Sequence, residues 1–308
     1  GFGMKIFIDT AKIYEIKEAI SWGIIDGVTT NPSLIREAVE EEKKKGRNID
    51  LTSYVEEICR TAGEERPVSL EVISQEAERM VKEATFLYQK FNPIANNVVV
   101  KIPIDTYTEE KGADYEGLVA VKRLEKEGIP TNVTLVMTPE QALLAAKAGA
   151  TYVSPFAGRI DDHIRKNLGI KFNKNDYFDS ELIQEIFRYR LNELLKLTTE
   201  EKISDLYHDS RIKHLRGYGN DNGIMNGVDC VRKIVTMFKK YNLPTKIIAA
   251  SVRNARQVRE LAETGCDICT APISVIREML RHPKTEEGVK RFYSDAVNAG
   301  YDELFKSL

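Results

Sequence analysis

The sequence predicts an α/β protein folded as a (β/α)8 TIM barrel with a helical insertion after strand six. Three observations lead there. Eight short apolar runs are separated by longer stretches of helical period, the pattern of repeated βα units around a parallel sheet. Caps and terminal glycines punctuate the helical stretches. Polar side chains collect at the ends of the runs, where closure of a barrel would bring them into one ring.

The runs are residues 4–9 (MKIFID), 25–30 (IDGVTT), 68–72 (VSLEV), 97–103 (NVVVKIP), 131–136 (TNVTLV), 151–156 (TYVSPF), 246–251 (KIIAAS) and 267–272 (DICTAP). Helix candidates between them include residues 11–22, 75–91, 115–127, 139–148 and 255–264. Gly128, Gly149 and Gly265 each follow a helical pattern, where a left-handed C-terminal position suits glycine. Thr138 and Asn254 stand as N-caps directly before Pro139 and Ala255. An open doubly wound sheet is the main competitor. Eight strands with interleaved helices make closure the natural solution.

One interval breaks the rhythm. Residues 163–222 are polar, aromatic and locally helical, and they separate the sixth run from the seventh by more than one ordinary βα connection. Within the interval, Ser180 is expected to cap a helix whose Leu182, Ile183, Ile186, Phe187, Leu191, Leu194 and Leu195 form an apolar stripe to be buried. The interval reads as an insertion within a single barrel domain spanning residues 1–308, placed on the face where barrel sites are built. A surface excursion or oligomer contact is the favoured role. Arg211, Lys213 or Arg216 could alternatively add phosphate contacts.

Bulk numbers narrow the function classes. Lys plus Arg number 45 against 47 Asp plus Glu, so the formal charge of -2 gives no reason to expect nucleic acid or an anionic membrane as partner. The run EEEKKK at residues 40–45 reads as a solvated helix end. Four scattered cysteines, Cys59, Cys230, Cys266 and Cys269, point to a reducing compartment, with the cytoplasm as the default. Cys266 and Cys269 are spaced C-x-x-C, but strand alternation would turn them to opposite faces, against a redox or metal role. His163, His208 and His214 show no zinc spacing, so no metal and no cofactor is expected. Gly1 to Gly3 before Met4 read as an expression remnant.

Among the strand-end residues Lys101 is the sharpest signal, because it interrupts Val98, Val99, Val100 and Ile102. Alternation puts it on the face of Val99, and apolar walls there disfavour the charged ammonium. A neutral amine is a nucleophile for a ketone, and the resulting iminium accepts electrons when a carbon–carbon bond breaks. The pattern alone leaves open a structural lysine paired with Asp9 or Glu71. Thr29, Thr30 and Asn31 end the second run, Thr134 lies in the fifth, Ser154 in the sixth, and Ser251 with Arg253 closes the seventh.

The segments KIFIDTAKIYEIKEA, IDGVTTNPSLI, VVVKIP, GIPTNVTLVMTPEQALLAAKAGATYVSPFAGRIDD and KIIAASVRNARQV closely resemble the small transaldolases and their relatives the fructose-6-phosphate aldolases. They cover most of the chain outside the inserted stretch, which the compact members lack. The resemblance implies that Lys101 forms the Schiff base and that Asp9 moves the proton of the hydroxyl beside the breaking bond. It implies that Glu71 and Thr134 hold water, that Asn31, with Thr30 beside it, and Ser154 bind the dihydroxyacetone portion, and that Arg159, Ser251 and Arg253 bind phosphate. The aldolases carry glutamine where Glu71 stands and tyrosine where Phe156 stands, so both positions follow the transaldolase pattern. The implied activity is transfer of a dihydroxyacetone unit between sugar phosphates, by a homo-oligomer of the kind family members form. The rivals are aldol cleavage that releases free dihydroxyacetone, and a non-catalytic barrel that binds sugar phosphates.

Overall fold

Eight parallel strands close into a barrel in which each strand pairs with its sequence neighbours and the last pairs with the first. The computed structural model describes residues 3–112, 114–210, 213 and 221–308. The strands are β1 (Lys5–Asp9), β2 (Gly27–Thr29), β3 (Val68–Glu71), β4 (Val98–Pro103), β5 (Thr131–Val136), β6 (Tyr152–Pro155), β7 (Lys246–Ala249) and β8 (Ile268–Ala271). The expected runs are therefore all strands, most of them trimmed by a residue or two at their ends. Closure rules out the open sheet.

The surrounding helices are α1 (Ile13–Ser21), α2 (Pro32–Lys44), α3 (Leu51–Ala62), α4 (Ala77–Ala95), α5 (Glu116–Lys126), α6 (Pro139–Lys147) and α7 (Ala157–Asn167), then α8 (Ser180–Leu195), α9 (Gly227–Lys240), α10 (Ala255–Glu263), α11 (Ile273–Glu278) and α12 (Pro283–Asn298). The start of α6 is a full capping box: Thr138 accepts from the Gln141 backbone N–H while the Gln141 side chain accepts from that of Thr138. Such a cap is worth about 1 kcal/mol. Asn254 caps α10 through Gln257 N at 2.9 Å. Gly128, Gly149 and Gly265 all take positive φ, as expected after helix ends. α4 runs past its expected end and through Pro93 to a left-handed Asn96.

Strand alternation divides the core in two. Ile8, Val28, Leu70, Val100, Val133 and Cys269 point out to the helices and join one large cluster. Phe7, Ile248 and Ile268, with Tyr152 against them, point inward and fill the N-terminal end of the barrel. The Phe7 ring needs the space left by Gly27, where a Cβ would come within 2.6 Å of it. With that end plugged by apolar side chains, the next inward positions along the strands form a polar layer at the opposite end.

The connection from β6 to β7 holds α8 and a 3-10 helix at Glu200–His208. Two expectations about it are corrected. Asp179, not Ser180, caps α8 by accepting from Leu182 N at 3.0 Å, because Ser180 is already helical. The apolar stripe is not buried: Ile183 alone is, while Leu182 and Leu195 are exposed. Residues 172–178 are well seated. Phe178 is buried, the Arg165 guanidinium stacks on Phe172 and Phe178 at 4.0 and 5.5 Å, and Tyr177 donates to Glu260 at 2.7 Å beneath Arg256. Arg211, His214 and Arg216 lie outside the described residues, as do Gly1 and Phe2, while Lys213 is exposed.

Cys266 precedes β8, so strand alternation does not separate it from Cys269; both thiols are buried in the outer core, correcting the opposite-face expectation. Burial pushes the Cys266 thiol up to about 11 and Cys269 higher still, which leaves them unreactive at neutral pH. Among the described residues no helix is long and apolar enough to cross a membrane.

Candidate active site at the barrel mouth

Lys101 is inward-facing on β4 and only 5% exposed. Its Nζ donates to the Thr30 carbonyl at 3.1 Å and stands 3.7 Å from Glu71 Oε1. The pairing follows from strand register, since Glu71 and Lys101 are direct partners across β3 and β4. Lys101 and Asn132 are partners on the other side, which places a second polar group against the lysine stem.

Both carboxyl groups near this lysine are displaced from their ordinary range. Desolvation pushes Asp9 up, against the opposing charge of Lys101, a hydrogen bond from Thr29 and the charge of Lys174. Desolvation likewise raises Glu71, opposed by the neighbouring charges of Lys101 and Arg159. Burial outweighs the nearby cations at both sites, so each carboxyl holds its proton more readily than it would in water. Carboxyls raised in this way are suited to exchanging protons with a bound substrate.

The Asp9 carboxylate is held by a relay of hydroxyls. Thr29 Oγ1 lies 2.9 Å from Asp9 Oδ1 and 2.5 Å from Thr270 Oγ1. A hydroxyl has one proton. If Thr29 donates to Asp9, Thr270 must donate to Thr29. On the far wall Ser154 Oγ donates to Asn132 Oδ1 at 2.7 Å, and Asn132 donates to Ser69 Oγ at 3.2 Å. Thr134 is buried in the same strand just before Leu135, whose positive φ of 60° coincides with an irregularity in the β5–β6 register. Thr30 donates to the Ser69 carbonyl. Asn31 caps α2 by accepting from Leu34 N at 2.9 Å, which leaves its amide N–H groups free as donors.

The arginines sit higher. Arg159 is exposed, with its guanidinium 5.4 Å from the centre of the Phe156 ring. Arg253 is folded back on Ser251, donating to its carbonyl at 3.3 Å and its hydroxyl at 3.2 Å, and pairs with Asp162 at 2.9 Å. Ser251 adopts a positive φ of 57°, a strained setting for a residue with a side chain. Its carbonyl is also bound by Gly158 N at 2.8 Å, and a Cβ at Gly158 would lie 2.1 Å from that oxygen. Glycine at 158 thus allows the first turn of α7 to touch the loop after β7.

Comparison with known proteins gives the family. The family model described as transaldolase/fructose-6-phosphate aldolase matches residues 6–217 and 201–307. The chain belongs to that family. A probable transaldolase of Caldicellulosiruptor saccharolyticus is 41% identical over 293 residues, covering 95% of this chain and 96% of the relative. One from Aquifex aeolicus is 39% identical over 292 residues, with 95% and 96% covered. One from Thermoplasma volcanium is 37% identical over 302 residues, with 98% and 99% covered.

In this transaldolase/fructose-6-phosphate aldolase family member, the barrel brings Asp9, Thr30, Glu71, Lys101, Thr134 and Ser154 to one end of the lumen. Arg159 rises from the first turn of α7, and Arg253 from the loop between β7 and α10. The sequence reading omitted Asn132, Thr270, Asp162 and Lys174. Asn132 had a usable signal, since it is a polar residue two positions before Thr134 and must share its face. Thr270 had the same signal in β8. Asp162 and Lys174 depend on loop conformation, which spacing does not reveal.

Proposed function

We propose that the chain is a transaldolase that moves a dihydroxyacetone unit from a ketose phosphate, fructose 6-phosphate or sedoheptulose 7-phosphate, to an aldose phosphate. The observation that carries this reading is the buried Lys101 amine, 3.7 Å from Glu71 and within electrostatic reach of Asp9. An amine with no catalytic task has little reason to sit desolvated at the open end of a barrel.

The Lys101 amine attacks C2 of the ketose, and loss of water gives the iminium. Glu71 and Thr134 hold that water and exchange its protons. Asp9 takes the C4 hydroxyl proton, the C3–C4 bond breaks, and its electron pair moves into the iminium to leave an enamine. The aldose phosphate departs. Asn31, Thr30 and Ser154 hold the three-carbon unit, and Arg159, Ser251 and Arg253 hold the phosphate. The enamine then attacks the carbonyl carbon of a second aldose phosphate, Asp9 returns the proton, and hydrolysis of the new iminium frees Lys101. Phe156 has no hydroxyl to assist protonation of the enamine by water, which supports transfer over release of dihydroxyacetone.

We assign this activity to the cytoplasm, in a single barrel domain with residues 163–222 inserted between β6 and β7. We also propose a homo-oligomer in which α12 of one copy covers an apolar face of another. That helix has no buried residue although Phe292 and Tyr293 are 75% and 72% exposed. A groove of about 530 Å³, mostly apolar through Ile35, Val39, Leu51, Val55, Phe86 and Leu87 but edged by Arg36 and Lys43, is the surface we propose it covers.

Borohydride reduction in the presence of fructose 6-phosphate tests the chemistry. A three-carbon or sugar-phosphate mass adduct on the peptide holding Lys101 is expected; unmodified lysines would overturn the proposal in favour of a binding protein. Turnover that depends on added erythrose 4-phosphate supports transfer. Release of dihydroxyacetone without an acceptor would point to the aldolase.

A further inference from the structure

Arg253 keeps one N–H donor open for a substrate phosphate. Of the five N–H donors of a guanidinium, one reaches the Ser251 carbonyl, one the Ser251 hydroxyl, one Asp162, and one the main-chain carbonyl of Lys174 at 3.4 Å. The last of these contacts brings the β6–β7 connection to the phosphate side of the mouth. Asn254 reinforces it by donating to the Asn175 carbonyl at 3.5 Å, and Arg165 donates to that of Asp176 at 3.4 Å. Asn173 N closes the turn on the Asp176 carboxylate at 2.7 Å. Immediately after the turn, the Tyr177 and Phe178 anchors fix its position against α10 and α7.

The side chain carried by this turn is exposed, and among the described residues it makes no ion pair and no hydrogen bond. The Lys174 main chain is held on the Arg253 guanidinium, which tethers the ammonium at the rim of the mouth beside that arginine, and its charge is the smallest of the influences that lower Asp9. Three N–H donors and a full positive charge are therefore available at the place where Arg253 is nearly saturated.

We propose that Lys174 is a further substrate-binding residue, supplying the mouth with a third cation beside Arg159 and Arg253 for the phosphate ester of the sugar. The proposal rests on the sugar-phosphate reading of the site and deepens it. The connection between β6 and β7 thus contributes to the site through the turn at residues 173–176, between α7 and α8. Lysine suits this position because a mobile point charge can follow a phosphate whose place varies with sugar length.

The test is steady-state kinetics of Lys174→Ala, Lys174→Arg and Lys174→Glu with fructose 6-phosphate as donor and either glyceraldehyde 3-phosphate or unphosphorylated glyceraldehyde as acceptor. Lys174→Ala should raise KM for both phosphorylated substrates about tenfold, with kcat little changed, as expected for one charge-assisted contact. Arginine should restore most of this, glutamate should worsen it, and KM for glyceraldehyde should stay put. Equal losses on both acceptors, or no loss, would overturn the proposal. A shift of the acidic limb of the pH profile without a KM change would also overturn it, by assigning the lysine to Asp9. Should the wild type prove inactive as a transaldolase, calorimetric titration with inorganic phosphate and with fructose 6-phosphate decides separately: binding weakened about tenfold in Lys174→Ala retains the lysine's role, and unchanged binding removes it.

Discussion

Glu71 and Lys101 are register partners on adjacent strands, and their side chains meet inside the barrel with Oε1 3.7 Å from Nζ. The separation is too long for a tight hydrogen-bonded ion pair. Lys101 gives its hydrogen bond instead to the Thr30 carbonyl. The carboxyl is thus near enough to influence the amine without being locked to it by a hydrogen bond. A purely structural ion pair would be expected to close that gap, because unmet charge in the interior is costly.

Replacing Glu71 by Gln keeps the shape and removes both the charge and the exchangeable proton. The variant should fold and should lose about 10- to 100-fold in kcat through slower formation and hydrolysis of the iminium. Single-turnover borohydride trapping measures this directly. An undiminished trapping rate would return Glu71 to a structural role.

The pH profile should respond to Thr29. Asp9 must be ionised to accept a proton, and burial raises it, so the acidic limb of kcat should lie above the ordinary carboxylate range. The Thr29 hydrogen bond opposes that rise. Thr29→Val therefore removes a lowering influence and should move the acidic limb to higher pH, with activity recovered once the medium is basic enough. Thr270→Val should move it the same way by a smaller amount, since it acts on Asp9 only through Thr29. A profile that does not move in Thr29→Val would separate Asp9 from the rate-determining proton transfer.

The barrel was legible because its strands obey a simple rule. Val98, Val100 and Ile102 face the helices while Val99 and Lys101 face the lumen, and period two carries that information without any tertiary knowledge. The same rule extended to Asn132 and Thr270 would have completed the lumen-facing layer. What stayed hidden depends on backbone conformation between elements. The positive φ of Ser251, the contact of Gly158 with its carbonyl and the docking of residues 173–176 on Arg253 arise from loops whose paths are set by packing. The stripe on α8 misled for a related reason: periodicity shows that a helix has an apolar side, but not that this chain supplies the surface to cover it.

A second pH effect concerns stability. Asp161 is buried, accepts from Gly227 N at 2.7 Å and Gln257 Nε2 at 3.0 Å, and is raised by desolvation from 3.8 to about 7. Below about pH 4 both folded and unfolded chains hold this proton. As pH rises toward 7 the unfolded chain releases it while the folded chain retains it, so the folded state loses stability across that window. Asp161→Asn should remove this loss, making urea stability between pH 4.5 and 7.5 flatter than in the wild type by on the order of 2–3 kcal/mol. An unchanged slope would mean that the carboxyl is not held protonated by burial.

The last helix of the chain gives a prediction about assembly. His282 caps α12 by accepting from Lys284 N at 2.9 Å, Pro283 occupies its first turn, and Lys290 pairs with Glu286 at 3.2 Å. Local sequence therefore supports the helix, yet Val289, Phe292, Tyr293 and Val297 remain exposed on it. Covering one such side chain fully contributes about 1.5–3 kcal/mol, so a second copy seated there gains substantially. A chain ending at residue 282 should have a lower mass by light scattering than the full chain at equal concentration. Its barrel should still melt cooperatively, because no core residue is removed. Substituting Phe292 and Tyr293 together by Ser should reduce the mass in the same way without shortening the helix. Unchanged mass in both variants would overturn assembly through this helix.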